Sequence, residues 1–417
     1  MKYTLQQNAF QGFEPVTIEL PDTWDVQFNA IAGDAMPALT KEQIKEKLNK
    51  PYGAPTIAEL AKGAKEVCIV FDDISRGTPT QPMAEAVLEE LHAAGIQKSQ
   101  IRFICALGTH GSHYRTDFVQ KLGEKICREY AIYNHNCYEN CTVIGQTKRG
   151  FDVSINAEFL KCDLRIGLGA LTPHPFMAFG GGGKILFPGL AGIETIALNH
   201  DTATNYARDN KINVTAVMGD MSVDGMRLEV EEMTRMAGQF FKVDCIYNTK
   251  LELIDLYAGD PIEEYYAAVP AAQKYYAMPK AEDMDIVIVN ANAKGNEANI
   301  AIGVAALAVT QRGGDIVAID HTQKGQVTHY LFGSFGLRGE TGGRRHGRIP
   351  RVRPQVKRCI CWMPYPDLGS AHWFGEIEKQ IYVDTWEQVM DLLKETHGEK
   401  AKVLIIADGT ISYFDRS

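Results

Sequence analysis

A chain of 417 residues, 45% apolar and 23% charged, is long enough for two or three cored domains, and its composition is that of a globular protein rather than a fibrous or disordered one. Its net charge of −9 at pH 7 argues against broad nucleic-acid binding, which needs basic groups facing phosphates. No long apolar run and no basic-then-apolar start in "MKYTLQQNAF" point to a membrane or to secretion, so the expected location is the cytoplasm.

In chain order, short runs rich in Val, Ile and Phe read as strands: "EVCIVF" (66–71), "IRFICAL" (101–107), "DLRIGLGAL" (163–171), "DIVIVNA" (285–291), "GDIVAID" (314–320) and "KVLIIA" (402–407). They are continuous rather than alternating, as expected for parallel strands covered on both faces. Helical patterns lie between them, among them "PMAEAVLEELHAAG" (82–95) and "WEQVMDLLKE" (386–395). This succession predicts an α/β fold of doubly wound type, with mainly parallel sheets flanked by helices. The prolines at 261, 270 and 279 interrupt the pattern and set the expected boundary, giving an N-terminal domain over 1–270 and a C-terminal α/β domain over 271–417 with the active site in the crevice between them.

The nine cysteines lack the spacing of a disulfide framework and read as reduced thiols, and "HNCYENC" (His135, Cys137, Cys141) has no second pair that would make it a metal site. The seven arginines and one lysine of "RGETGGRRHGRIPRVRPQVKR" (338–358) read as a solvated loop, with an anion site or partner surface as the alternative.

Ligands of open α/β sheets gather beyond the carboxyl ends of strands. Three segments there are chemically loaded: "DDISRGTP" after the first strand, "ALGTHGSH" after the second, and "TPHPFMAFGGGGKILFPG" after a later one. Together they carry Asp72, Asp73, Ser75, Arg76, His110, His113, His174 and Lys184. The glycines fit neither a P-loop, since Ala178 and Ile185 stand where Gly and Ser or Thr are required, nor a dinucleotide fingerprint. They read either as a flexible loop or as backbone that lets an anion or bulky ligand approach Lys184, a candidate for covalent attachment. His174 is held between prolines, and His200 is expected at the end of a short helix, where a lone histidine lacks the other donors of a metal site.

These motifs, with the later "NHD", fall in the order and spacing of the lactate racemase family, which the chain resembles. The resemblance implies a nickel-pincer nucleotide, a pyridinium-3,5-bisthiocarboxylic acid mononucleotide with nickel, attached covalently to Lys184 and completed by His200. It implies His110 and His174 as the two bases, Gly181, Gly182, Gly183, Asp73 and Ser75 about the cofactor, and Arg76 on the substrate carboxylate. His113 reads as a surface loop residue. Proteins that make the cofactor are implied as maturation partners, and the substrate is a small 2-hydroxy acid.

The family's substrate-holding Asp and Gln are replaced by Asn296 and Glu297, and its later Gln and Lys by Ala301 and Val304. Lys294, Asn296 and Glu297 therefore suggest a polyhydroxy acid, such as an aldonate epimerised at C2. Lactate or malate racemisation is the alternative. From other classes come a non-catalytic nucleotide or anion binder, and a nickel-independent hydro-lyase or dehydrogenase.

Overall fold

The structure, a computed structural model, describes residues 1–7, 14–223, 226–327 and 353–416. It divides into two compact units, one of residues 36–274 and one of residues 1–35 together with 275–417. The N-terminal segment thus groups with the C-terminal one, whereas the sequence pattern placed it with the first domain.

The discontinuous unit begins with β1 (Lys2–Leu5), β2 (Val16–Glu19) and β3 (Asp25–Asn29). The contiguous unit holds β4 (Val67–Asp72), β5 (Ile101–Ala106), β6 (Ala131–Asn134), the hairpin of β7 (Cys141–Gln146) and β8 (Asp152–Asn156), β9 (Leu164–Ala170), the short pair β10 (Pro173–His174) and β11 (Ala178–Phe179), β12 (Phe241–Tyr247) and β13 (Leu253–Gly259). Its main sheet has the order β13-β12-β9-β4-β5-β6, parallel except where β13 turns back on β12. From β4 the chain builds outward through β5 and β6, then returns to the other side with β9 and β12. The order therefore reverses between β4 and β9, the place where parallel sheets leave a crevice for ligands. Helices Thr80–Ala93 and Arg115–Glu129 make the crossovers, and Val67 to Phe71 are wholly buried beneath such cover.

In the discontinuous unit, β14 (Ala277–Met278) pairs with β20 (Tyr413–Phe414). The main sheet runs β18-β17-β16-β15-β19-β3, from β15 (Ile286–Asn290), β16 (Gly314–Ile319), β17 (Val356–Trp362), β18 (Gln380–Val383) and β19 (Lys402–Ile406), and every pairing is parallel. Its core joins distant parts of the chain: Leu5, Ile18, Leu20 and Trp24 pack with Ile288, Ile360, Val389, Leu393 and Ile405.

The proline-marked stretch expected to be irregular contains the helix Glu263–Tyr276, with Pro270 inside it. Residues 338–352 of the arginine-rich segment lie outside the described residues; of the rest, Arg358 pairs with buried Asp315, and Arg353 donates to the Phe374 carbonyl at 2.7 Å. Among the described residues no helix is long and apolar enough to cross a membrane.

Candidate active site

All three loaded loops belong to the contiguous unit and leave β4, β5 and β9 at their carboxyl ends. In the first, Asp73 is 3% exposed and accepts from the Ser75 backbone N–H at 2.9 Å and from the Ser75 hydroxyl. Its other oxygen lies 2.5 Å from Nδ1 of His110, which comes from the loop after β5. Burial alone would raise the Asp73 carboxyl; the charge and hydrogen bond of His110, with Arg76 and His113 adding, hold it well below the usual carboxylate range instead. A carboxylate at Nδ1 fixes a proton there and puts the imidazole lone pair at Nε2, the arrangement of an oriented general base.

The rest of that loop is braced from within. Arg76 donates to the Ser75 hydroxyl at 3.0 Å and carbonyl at 3.2 Å, and His113 Nε2 accepts from the Ile74 N–H at 3.0 Å. His113 is thus half-buried and part of the loop's support, more than the surface residue expected of it. The sequence reading also missed Lys121. From the helix Arg115–Glu129 it reaches Asp72 at 2.8 Å and the Arg76 and Thr78 carbonyls, each at 3.1 Å, while its side chain is 2% exposed. The signal was there: Lys121 stands three residues after Phe118 and beside Leu122, both buried ahead of the kink at Gly123, so it is a lysine at a core position.

His174 differs from His110. Its Nδ1 accepts from the Phe176 N–H at 3.2 Å, so in the neutral ring the proton sits at Nε2. To accept a proton at Nε2, this ring must first release the Phe176 N–H.

The glycines do not form an open loop. Gly182–Ile185 make a turn of 3-10 helix, and Gly181 and Gly182 have φ of 88° and 57°. A Cβ on Gly181 would lie 2.4 Å from Leu171, on Gly182 2.7 Å from the Pro261 carbonyl, and on Gly183 2.0 Å from the Thr234 hydroxyl. The space these three leave is filled by the protein itself and not kept for a ligand. Gly180 alone of the four would make only ordinary contacts. Their effect is to seat the turn tightly and hold half-buried Lys184 on it.

His200 does not end a short helix but lies within the longer Ile193–Asp209. Its Nδ1 is 2.9 Å from the Ile196 carbonyl, which can only accept, so the lone pair is at Nε2 as a metal ligand requires. Among the described residues no group of three or more His, Cys, Asp or Glu could hold a metal, so a metal at His200 needs donors from another source. A sulphur-bearing nucleotide held on a lysine such as Lys184 would supply donors of that kind. His135, by contrast, is a core residue: it is 2.9 Å from the Ala191 carbonyl, accepts from Asn156 at 3.1 Å, and burial pushes its pKa down to about 4.

In the discontinuous unit, Lys294 is 3% exposed and its charge acts on buried Asp408, whose carboxyl burial raises. Asn296 and Glu297 line a small, shallow hollow with Asn299, Gln326 and Trp373. Ala301 and Val304 are each 1% exposed within the helix Ala298–Ala308.

Residues 11–211 match the family described as lactate racemase N-terminal domain. The lactate racemase of Lactiplantibacillus plantarum is 26% identical over 291 residues, 68% of this chain and 67% of that protein. That of Thermoanaerobacterium thermosaccharolyticum is 23% identical over 287 residues, 67% of this chain and 65% of its own length. Among solved structures, the lactate racemase apoprotein from T. thermosaccharolyticum superposes with a TM-score of 0.73 at 17% identity and full coverage of both chains. A Thermotoga maritima protein does so at 0.64 and 16% identity, covering 91% of this chain and 98% of its own. Two-domain α/β architecture and matched N-terminal domain agree: residues 11–211 match the lactate racemase N-terminal domain, and the chain is similar to lactate racemases.

Proposed function

We propose that this protein inverts C2 of a 2-hydroxy acid by reversible hydride transfer, with a nickel-pincer nucleotide on Lys184 and His200 as the protein's ligand to nickel. The observation that carries the proposal is the Asp73–His110 pair at 2.5 Å, in the same unit as the seated Lys184 turn and the His200 lone pair. Deprotonating C2 would leave a carbanion beside a carboxylate, so temporary oxidation is the easier route. When bound, the nucleotide supplies a reversible acceptor for the C2 hydride.

The chain's own residues manage the proton. His110 Nε2 takes the hydroxyl proton of one stereoisomer while Asp73 stabilises the imidazolium that results. His174 serves the other, after its Nδ1 lets go of the Phe176 N–H. Arg76 is the carboxylate clamp, its guanidinium fork matching two oxygens.

The substrate we propose is a polyhydroxy acid. Ala301 and Val304 are buried and apolar, so the contacts the family places there are absent, while Asn296 and Glu297 border a hollow and offer partners for hydroxyls. A chiral panel of lactate, malate and aldonates tests this, and lactate as best substrate would reject it.

The test of the chemistry is intact-mass analysis with nickel quantification, on protein from a host that makes the cofactor. An adduct on Lys184 with stoichiometric nickel, and retention of the label during turnover of C2-deuterated substrate, are expected. Loss of deuterium to solvent would refute hydride transfer.

A further inference from the structure

Beneath the glycine turn lies a cluster of charge that the proposed chemistry leaves unused. Arg227, Lys242, Asp244 and Glu264 are each at most 3% exposed. They come from the helix Arg227–Met236, from β12 and from the helix Glu263–Tyr276. Asp244 accepts the Gly182 N–H at 2.5 Å with one oxygen and the Lys242 ammonium with the other, and that ammonium also donates to the Val243 carbonyl at 3.0 Å. Arg227 donates to the Phe179 carbonyl at 2.6 Å and the Gly181 carbonyl at 3.2 Å, with its guanidinium 3.8 Å above the Tyr265 ring. Glu264 has its carboxyl pushed well above the usual range, by burial first and the Asp244 charge second.

The surrounding glycines make room for this cluster. A Cβ on Gly169 of β9 would lie 2.9 Å from the Lys242 ammonium, and one on Gly181 2.7 Å from Asp244. Buried ion pairs add little net stability against apolar residues of similar size, because desolvation offsets the attraction. What the cluster does contribute is geometry, since every hydrogen bond named above between it and the turn ends on backbone within two to five residues of Lys184.

We propose that Arg227, Lys242 and Asp244 are positioning residues that fix the backbone of residues 179–182 and thereby set how the Lys184 amine is presented for attachment. The proposal rests on the assignment of Lys184 as the attachment point, but its test does not need the cofactor. Two double variants of the full chain separate positioning from stability. Lys242→Met with Asp244→Asn removes the ion pair but keeps a side-chain acceptor for the Gly182 N–H. Lys242→Met with Asp244→Leu removes both.

The readout is the rate at which N-hydroxysuccinimidyl acetate acetylates Lys184, followed by peptide mass spectrometry against exposed Lys50 and Lys161. The Asn pair should label Lys184 within about twofold of the parent, while the Leu pair, its turn loosened, labels it about tenfold faster at a similar unfolding temperature. Equal rates in the two folded pairs would overturn the proposal. In the parent chain, which needs no substitution, the Gly182 amide should exchange with deuterium as slowly as the amides of β9. Exchange as fast as in exposed loops would overturn the proposal whether or not the variants fold. If the pairs differ as expected yet mature protein carries no adduct on Lys184, positioning stands and the proposed function falls.

Discussion

At the scale of single residues, the Asp73 carboxylate and the His110 ring were legible because each sits in a short polar motif directly after an apolar strand, "DDISRG" and "GTHG". Their partnership was not legible, since it joins loops 37 positions apart. The pair makes a twofold prediction. Asp73→Asn removes the carboxylate that fixes the proton on His110 Nδ1, so kcat should fall by about a thousandfold while the fold persists, as steady-state rates and circular dichroism would show. The second part concerns acid. The folded Asp73 carboxyl is held below its ordinary value, so its contribution to stability is complete above an unfolded pKa of about 4 and is lost as pH falls toward the folded value. Urea unfolding of parent and variant should therefore diverge most at neutral pH and converge in acid. A gap that widened on acidification would contradict the assignment.

At the scale of elements, the six strands expected from continuous apolar runs are all present, because wholly buried parallel strands need no polar face. β12 escaped notice for the same physical reason that makes it interesting. "FKVDCIY" alternates like a half-exposed strand, yet all seven residues are buried, and Lys242 and Asp244 neutralise each other within it. The glycine turn was found, but the purpose given to it was incomplete: sequence shows that side chains are missing, not which atoms fill the space. Lys121 gives the element-scale prediction, since it ties one helix to the loop that carries Asp73. Lys121→Met fills the same interior volume and leaves Asp72 without its cation. Breaking such a pair from one side should cost about 3 kcal/mol in chemical unfolding. Pairing Lys121→Met with Asp72→Asn should restore much of it, whereas an additive loss would mean that the ion pair is not the connection.

At the scale of the whole molecule, the N-terminal 35 residues are the part that sequence reading misplaced. β3 is a five-residue strand whose parallel partner β19 begins at Lys402, and no local pattern can announce a partner so remote. Leu5, Ile18, Leu20 and Trp24 belong to the same core as Ile288, Ile360 and Ile405, so the C-terminal segment by itself lacks part of its interior and one edge of its sheet. This predicts how fragments behave. Residues 36–274 carry a complete six-stranded sheet and should unfold cooperatively alone. Residues 275–417 alone should expose apolar surface, bind a hydrophobic dye and show no sharp transition. Joining residues 1–35 ahead of them through a flexible linker should restore cooperative unfolding, because it returns β3 to β19 and the missing side chains to the core. If the isolated segment 275–417 unfolded as sharply as the linked form, the N-terminal strands would be an accessory to that unit rather than a constituent of it.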